Sequence, residues 1–182
     1  YKFHNAKKKY LLHSDISFHG KLLGSGSISN TSEINFKFPG LHFKDQFNYN
    51  NIESLINTIN KYANDIYAII IEPLSASTLR PLSKKFASFL RKICTSKNIV
   101  LIFDEVFTSW AKTGKLFYFE YLDVIPDILT FSKSFGGGKS SISGYVARDK
   151  IFNGAYLNRS SFNLHSSTYN GFGEECITAI EA

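Results

Sequence analysis

The sequence predicts an α/β domain, a mostly parallel sheet flanked by helices, and three observations predict it. Short apolar runs rich in isoleucine and leucine alternate along the chain with segments of helical spacing. The runs contain few polar residues, as expected of parallel strands that are buried on both faces. Several runs end directly in charged residues, at the position where sheets of this kind bind ligands. Alternating strands and helices imply right-handed crossovers and a single layered domain.

Each predicted element follows from a local pattern of apolar residues. The segment from Asn51 to Tyr62 places its isoleucines and leucine on one helical face. Asn50 precedes it, and Glu53 follows Asn50 by three residues in the pattern of a helix cap. Ser83 to Lys97 repeats the helical spacing. Residues 15–47 show little periodicity and receive no assignment. The predicted strands are the apolar runs Tyr10–His13, Ile66–Ile71, Ile99–Phe103 and Asp127–Phe131.

Composition narrows the class of protein. The 182 residues suffice for one domain with a core, and the net charge of +6 is scattered apart from Lys7–Lys9, which argues against nucleic-acid binding. Cys94 and Cys176 lack metal or disulfide spacing and fit reduced thiols of a cytoplasmic protein. No run approaches the ~18 apolar residues of a membrane helix. Because the chain starts at Tyr1 and lacks methionine, we expect it to be part of a longer protein.

Charged residues follow three of the predicted strands. Glu72 ends one strand, Asp104 and Glu105 end the next, and Lys133 comes shortly after the last. The carboxyl ends of parallel strands meet at one edge of a sheet, so these side chains are expected to lie near one another. On these residues alone, a structural ion pair and a ligand site are equally compatible with the pattern.

The segment Gly136–Ser140 is similar in composition to the phosphate-binding loop of nucleotide hydrolases, but its context argues against that function. The motif requires a glycine five residues before Gly138, and that position is Lys133. The loop should also lead into a helix, whereas Ile142–Ala147 alternates like a strand. In nucleotide hydrolases the acidic strand follows the glycine loop, whereas here the acidic strand comes before the glycines.

An ordered set of motifs resembles the class III aminotransferases, which are pyridoxal-phosphate (PLP) enzymes of fold type I. Lys133 follows Asp104 by 29 positions, and this ordered spacing is far more specific than any single motif. The resemblance runs from about residue 9 to residue 182. The motifs, in chain order, are Phe18-His19-Gly20, Ile71-Glu72-Pro73, Ile102-Phe103-Asp104-Glu105-Val106, Thr113-Gly114-Lys115-Leu116-Phe117, Pro126-Asp127-Ile128-Leu129-Thr130, Ser132-Lys133, Gly136-Gly137-Gly138 and His165-Ser166-Ser167-Thr168-Tyr169.

The resemblance implies a cofactor, pyridoxal 5'-phosphate, and a role for each matching residue. Lys133 matches the catalytic lysine that forms the Schiff base and then moves the substrate proton, and Asp104 matches the acid that pairs with the pyridinium nitrogen. Phe18 and Val106 match the residues that pack on the two faces of the cofactor ring. Thr168 matches a hydroxyl that reaches the cofactor phosphate of the neighbouring subunit, which implies a homodimer.

Two further residues of these motifs, Glu72 and His19, have less direct implied roles. Glu72 matches an acid that orients the site without acting as a base. His19 is interpreted as a structural histidine in preference to a donor that supports the site.

The resemblance also implies that the chain is part of the large, PLP-binding domain of the family fold. The phosphate loop is expected before residue 1 and the small domain beyond residue 182, so we expect the chain alone to be inactive.

Several residues depart from the family pattern on the substrate side. Phe107 stands where glutamine is usual, and Ser75, Ala76 and Ser77 replace Gln-Gly-Glu. Residues 109–112 replace a glycine-rich stretch. The predicted reaction is transfer of an amino group from an amine or amino acid to a keto acid or aldehyde, with donor and acceptor unidentified. The alternatives are an aminomutase or other PLP reaction on this fold, and a non-catalytic homologue that acts as a structural or partner-binding module.

Overall fold

The predicted fold class is confirmed by the computed structural model, which describes residues 1–4, 7–30, 40–157 and 160–182. Its sheet has six strands in the order β2-β1-β3-β4-β5-β6. The first five strands in this order are parallel, and β6 pairs with β5 in the antiparallel direction. The strands are β1 (Tyr10–Ser14), β2 (Lys44–Phe47), β3 (Ile66–Ile71), β4 (Val100–Asp104), β5 (Ile128–Phe131) and β6 (Gly144–Ala147).

Both predicted helices form. Asn51 accepts a hydrogen bond from the Ser54 amide at the start of α2, so the predicted cap at Asn50 is wrong by one residue. Ser83 caps α3 through the Phe86 amide. The helices are α1 (Leu23–Ser27), α2 (Ile52–Tyr62), α3 (Lys84–Ser96), α4 (Phe119–Leu122), α5 (Asp149–Tyr156) and α6 (Gly173–Glu181), with 3₁₀ turns at Lys2–His4 and Lys133–Gly136.

The main core lies between the sheet and the apolar faces of α2 and α3. Leu12 and Ile69 from the sheet, Leu55 from α2 and Leu90 from α3 are all fully buried within one cluster. Burial of each such side chain stabilises the fold by about 1.5–3 kcal/mol. A smaller cluster, which includes Ala68 and Val100, lies on alternate residues of the same strands. The strands that carry the candidate site are therefore fixed by packing on both sides.

The side chain of Asp127 fixes β5 relative to β4. One of its oxygens accepts the Leu101 amide at 2.8 Å and lies 2.9 Å from the Arg91 guanidinium, and the other lies 3.0 Å from Arg148. Because β5 leads directly to Lys133, this anchor also limits where that lysine can lie.

The glycine-rich segment lies in a loop and does not open a helix. Gly136 ends the 3₁₀ turn that begins at Lys133, and the chain then continues into β6. The structural context required of a phosphate-binding loop of nucleotide hydrolases is therefore missing. Within the described residues, no helix is long and apolar enough to cross a membrane.

Candidate active site

Asp104 is the last residue of β4, and its carboxylate is buried at the edge of the sheet. It pairs with Thr130 of β5 in the strand register. One carboxylate oxygen accepts the Val106 amide and the Thr130 hydroxyl, each at 3.1 Å. The other accepts Nδ1–H of His19 at 2.7 Å. Asp104 is thus surrounded by donors from three different segments.

These donors keep the carboxylate ionised. Burial acts to raise the pKa of Asp104, but the hydrogen bond and charge of His19 oppose it, assisted by Val106 and Thr130. The net result is a pKa below the ordinary value for aspartate. At neutral pH Asp104 is therefore a buried anion, and it can stabilise a positive charge placed beside it.

His19 lies in the loop that follows β1 and has a larger role than the sequence indicated. Its side chain is only 2% exposed, and its backbone amide donates to the Ser29 hydroxyl at 2.8 Å. Its Nε2 is buried and has no hydrogen-bond partner among the described residues. Because its ring donates directly to Asp104, the contacts of His19 favour the other interpretation, a donor that supports the site. The 85 positions between the two residues left no local signal of this contact.

Glu72 follows β3 and accepts two backbone amides. Its oxygens bind the amides of Phe18 at 2.9 Å and Ala76 at 3.0 Å, and the residue is 3% exposed. Burial raises the pKa of Glu72, although both amides act to lower it. Its contacts agree with the orienting role implied by the resemblance, since Glu72 holds the loop that carries Phe18 and His19.

Glu105, the acid beside Asp104, faces the protein interior. It is completely buried and accepts the Thr108 hydroxyl together with the amides of Tyr118 and Phe119 at the start of α4. Burial raises the pKa of Glu105 against these hydrogen bonds. The adjacent acids therefore have different roles, and only Asp104 belongs to the site at the sheet edge.

Lys133 begins the turn after β5 and exposes its amine. Its backbone has a φ of 50°, in the left-handed region. The Nζ atom lies 5.4 Å from the centroid of the Phe107 ring, and Lys112 Nζ lies 5.2 Å from the same centroid. Within the described parts of the chain, Lys133 has no ion-pair partner. The lysine lines a cleft of about 330 Å³ together with Ser132 and residues 138–142.

Of the other predicted site residues, Val106 and Phe18 lie in segments that contact Asp104 or its neighbours, whereas Thr168, within the part of the chain that the structure describes, does not. Val106 contacts Asp104 through its amide, and Phe18 precedes His19 in the loop held by Glu72. Thr168 lies on an exposed loop, and no contact among the described residues joins it to Asp104 or Lys133. A phosphate-binding role across a subunit interface therefore stays a prediction for Thr168.

The residues present fit PLP better than a metal ion. The ionised Asp104 carboxylate ends strand β4, and Lys133, whose amine has no ion-pair partner among the described residues, follows the neighbouring strand β5. A cofactor with a protonated ring nitrogen and an aldehyde requires these two groups. No group of three or more potential metal ligands occurs within the described residues.

A mostly parallel sheet with flanking helices, with this carboxylate and lysine at adjacent strand ends, is the fold of the fold type I PLP-dependent transferases. The family comparison narrows the assignment further. The model of the family Aminotransferase class-III matches residues 1–182, so the chain belongs to the class III aminotransferases.

Individual relatives agree with this assignment. The chain is 32% identical over 180 residues to the acetylornithine/succinyldiaminopimelate aminotransferase of Buchnera aphidicola, covering 98% of this chain and 42% of that protein. It is 29% identical to the adenosylmethionine-8-amino-7-oxononanoate aminotransferase of Helicobacter pylori, covering 95% and 43%. A transaminase from the marine bacterium Virgibacillus superimposes with a TM-score of 0.91 at 25% identity, covering 99% and 43%. The chain thus spans less than half the length of these relatives.

Proposed function

We propose that the intact protein carrying this chain is a PLP-dependent aminotransferase. It transfers an amino group from an amine or amino acid to a keto acid or aldehyde. The observation that carries the proposal is the buried Asp104 carboxylate, bonded to His19, at the strand end adjacent to the one that presents Lys133. Family membership over residues 1–182 supports it.

Asp104 supplies a fixed negative charge for the cofactor ring. Bound PLP supplies an electron sink for the charge that develops when a proton leaves the substrate. The Asp104 carboxylate maintains that capacity by holding a proton on the ring nitrogen. His19 keeps Asp104 in the ionised form, and Glu72 holds the His19 loop in place.

Lys133 supplies the primary amine of the site. Its amine would hold the cofactor covalently, and in its neutral form the same amine would accept and return the proton that leaves the substrate. Its exposure and lack of an ion-pair partner among the described residues leave the amine accessible for both tasks.

The remaining assignments complete the proposal. Phe18 and Val106 would pack on the two faces of the cofactor ring, and Thr168 would donate to the phosphate bound by a second subunit of a homodimer. Residues 1–182 form part of the PLP-binding large domain of a cytoplasmic enzyme, with the phosphate loop and the small domain supplied by the rest of the protein. The chain alone is then inactive.

The absorbance spectrum of the intact protein with added PLP tests this proposal. A band at about 410–430 nm that borohydride removes is expected for the lysine–cofactor linkage. The band should be absent in Lys133→Ala and present in Lys84→Ala, which removes a surface lysine of α3 that pairs with Asp123. A folded wild type without the band would contradict the proposal and favour a non-catalytic homologue. A band without amino transfer to any acceptor would favour an aminomutase or another PLP reaction.

A further inference from the structure

The turn after β4, residues 107–112, contains two of the departures from the family pattern that the proposed function leaves unexplained, Phe107 and residues 109–112. We call this segment the 107–112 turn. It carries two aromatic residues, Phe107 and Trp110, and one lysine, Lys112. Each aromatic ring contacts the segment that carries Lys133, by a different route.

Phe107 contacts the Lys133 amine itself. The Phe107 ring is half-buried. The Lys133 Nζ atom lies 5.4 Å from its centroid, and the Lys112 Nζ atom lies 5.2 Å from the same centroid. Both distances are within the ~6 Å range of cation–π attraction. The ring is thus a contact surface for the reactive amine, and Lys112 is a second cation on that surface.

Trp110 contacts the backbone turn of Lys133 through the residues on either side. Phe135, two residues after Lys133, stacks on Trp110 with centroids 4.7 Å apart and 9° between the planes. Phe131, two residues before Lys133, meets the Trp110 ring edge-on at 5.7 Å and 85°. Phe131 and Phe135 also contact each other at 4.9 Å and 90°. Phe131 and Phe135 therefore flank Lys133 in the sequence, and both rings pack against Trp110.

The backbone of both segments depends on this packing. Trp110, Ala111 and Lys133 have φ values of 61°, 57° and 50°, in the left-handed region that favours glycine. Such conformations persist where the surroundings over-determine them. Here the stacked rings join the two strained turns, and the Trp110 amide donates to the Leu116 carbonyl at 2.8 Å.

We propose that Phe107 and Trp110 are positioning residues for Lys133. Phe107 holds the amine at the face of its ring by cation–π attraction, and Trp110 fixes the turn from which the lysine extends. The significance of this for catalysis rests on the proposed function, in which Lys133 binds the cofactor.

The reactivity of Lys133 in the intact, cofactor-free protein tests the Phe107 contact. Acylation rates of individual lysines are measured at a mildly alkaline pH by peptide mass spectrometry with acetic anhydride. Phe107→Leu should speed acylation of Lys133 about two- to fivefold, because the amine is no longer held against the ring and reaches the reagent more freely. Phe107→Tyr keeps a ring and should retain the wild-type rate.

The chain contains a matched control for this measurement. Phe43, just before β2, has Lys9 Nζ 6.0 Å from its centroid. Phe43→Leu removes a contact of the same kind at the opposite edge of the sheet. It should speed acylation of Lys9 and leave Lys133 unchanged.

The Trp110 contact is tested with Trp110→Ala and Trp110→Phe. Trp110→Ala removes the stack and should alter the Lys133 acylation rate at least twofold at temperatures where circular dichroism shows a folded protein. Trp110→Phe should restore the wild-type rate. A merely structural role would lower the melting temperature without changing the Lys133 rate. If Trp110→Ala fails to fold, the Phe107 variants decide the outcome.

The proposal is overturned if Lys133 reacts at the wild-type rate in Phe107→Leu, or if Phe43→Leu changes it equally. Failure of the proposed function gives a different result. In that case the wild type shows no cofactor band at about 410–430 nm, while the effects of Phe107 on Lys133 acylation remain.

Discussion

Replacing His19 with phenylalanine removes the hydrogen bond that keeps Asp104 ionised while retaining a ring of similar size. The carboxylate would keep only two neutral donors, the Val106 amide and the Thr130 hydroxyl. Both partners of the lost bond are buried, at 2% and 10% side-chain exposure, so solvent cannot replace His19. A hydrogen bond to a charged group stabilises a protein by about 1.5–3 kcal/mol, and we expect a loss of that size at pH 7.

The loss should depend on pH. In the wild type the pKa of Asp104 lies below its unfolded value, so its contribution to stability is present above that value, about 3.9, and disappears as the pH falls through the folded pKa. Without His19, burial dominates and raises the pKa of Asp104. Ionisation then destabilises the variant as the pH rises. The difference between the two proteins should therefore grow from pH 4.5 to pH 7.5.

Urea unfolding of the intact, cofactor-free protein at several pH values measures this difference. His19→Asn is the matched control, because its side-chain amide nitrogen is bonded to Cγ, as Nδ1 is in histidine, and can donate to Asp104. It should recover part of the loss. A loss in His19→Phe that is the same at every pH would refute the electrostatic reasoning and indicate altered packing instead.

Two further substitutions test the supports around the site. Glu105→Ala leaves the buried amides of Tyr118 and Phe119 without their acceptor, and we expect a loss of about 2–4 kcal/mol in the free energy of unfolding, measured with urea; a loss below ~1 kcal/mol would mean that water replaces the carboxylate. Gly144→Ala places a methyl group 2.8 Å from the ring of Phe131, and the overpacking should destabilise the protein by about 1–3 kcal/mol. An unchanged melting temperature in Gly144→Ala would show that the ring can move freely.

The strands that the sequence predicts are those whose residues are nearly all apolar. Ile66–Ile71 is predicted to the residue, because β3 lies in the interior of the sheet and both faces are buried. β2 was not predicted, since it is an edge strand with the sequence Lys-Asp-Gln-Phe, and only Phe47 is buried. The antiparallel pairing of β6 was also not predicted, because alternation in sequence does not encode strand direction.

The same distinction applies to the candidate site. Asp104 and Lys133 were found because each follows an apolar strand within a motif. The contacts of His19 with Asp104, and of Trp110 with Phe135, join residues on separate segments and depend on side-chain direction. Sequence spacing carries no information on such contacts, so only the structure reveals them.

The strand order has a consequence for how the chain folds during synthesis. After β1 and β2 pair, each later strand is added at the same free edge, first β3, then β4, β5 and β6. The sheet can therefore grow in the direction of translation, without opening pairs that have already formed. In this order Asp104 can join the sheet with β4 before β5 brings the Thr130 hydroxyl to it and leads to the turn of Lys133. A ribosome-bound intermediate that ends at β4 would possess the anion and the histidine of the site but not its amine.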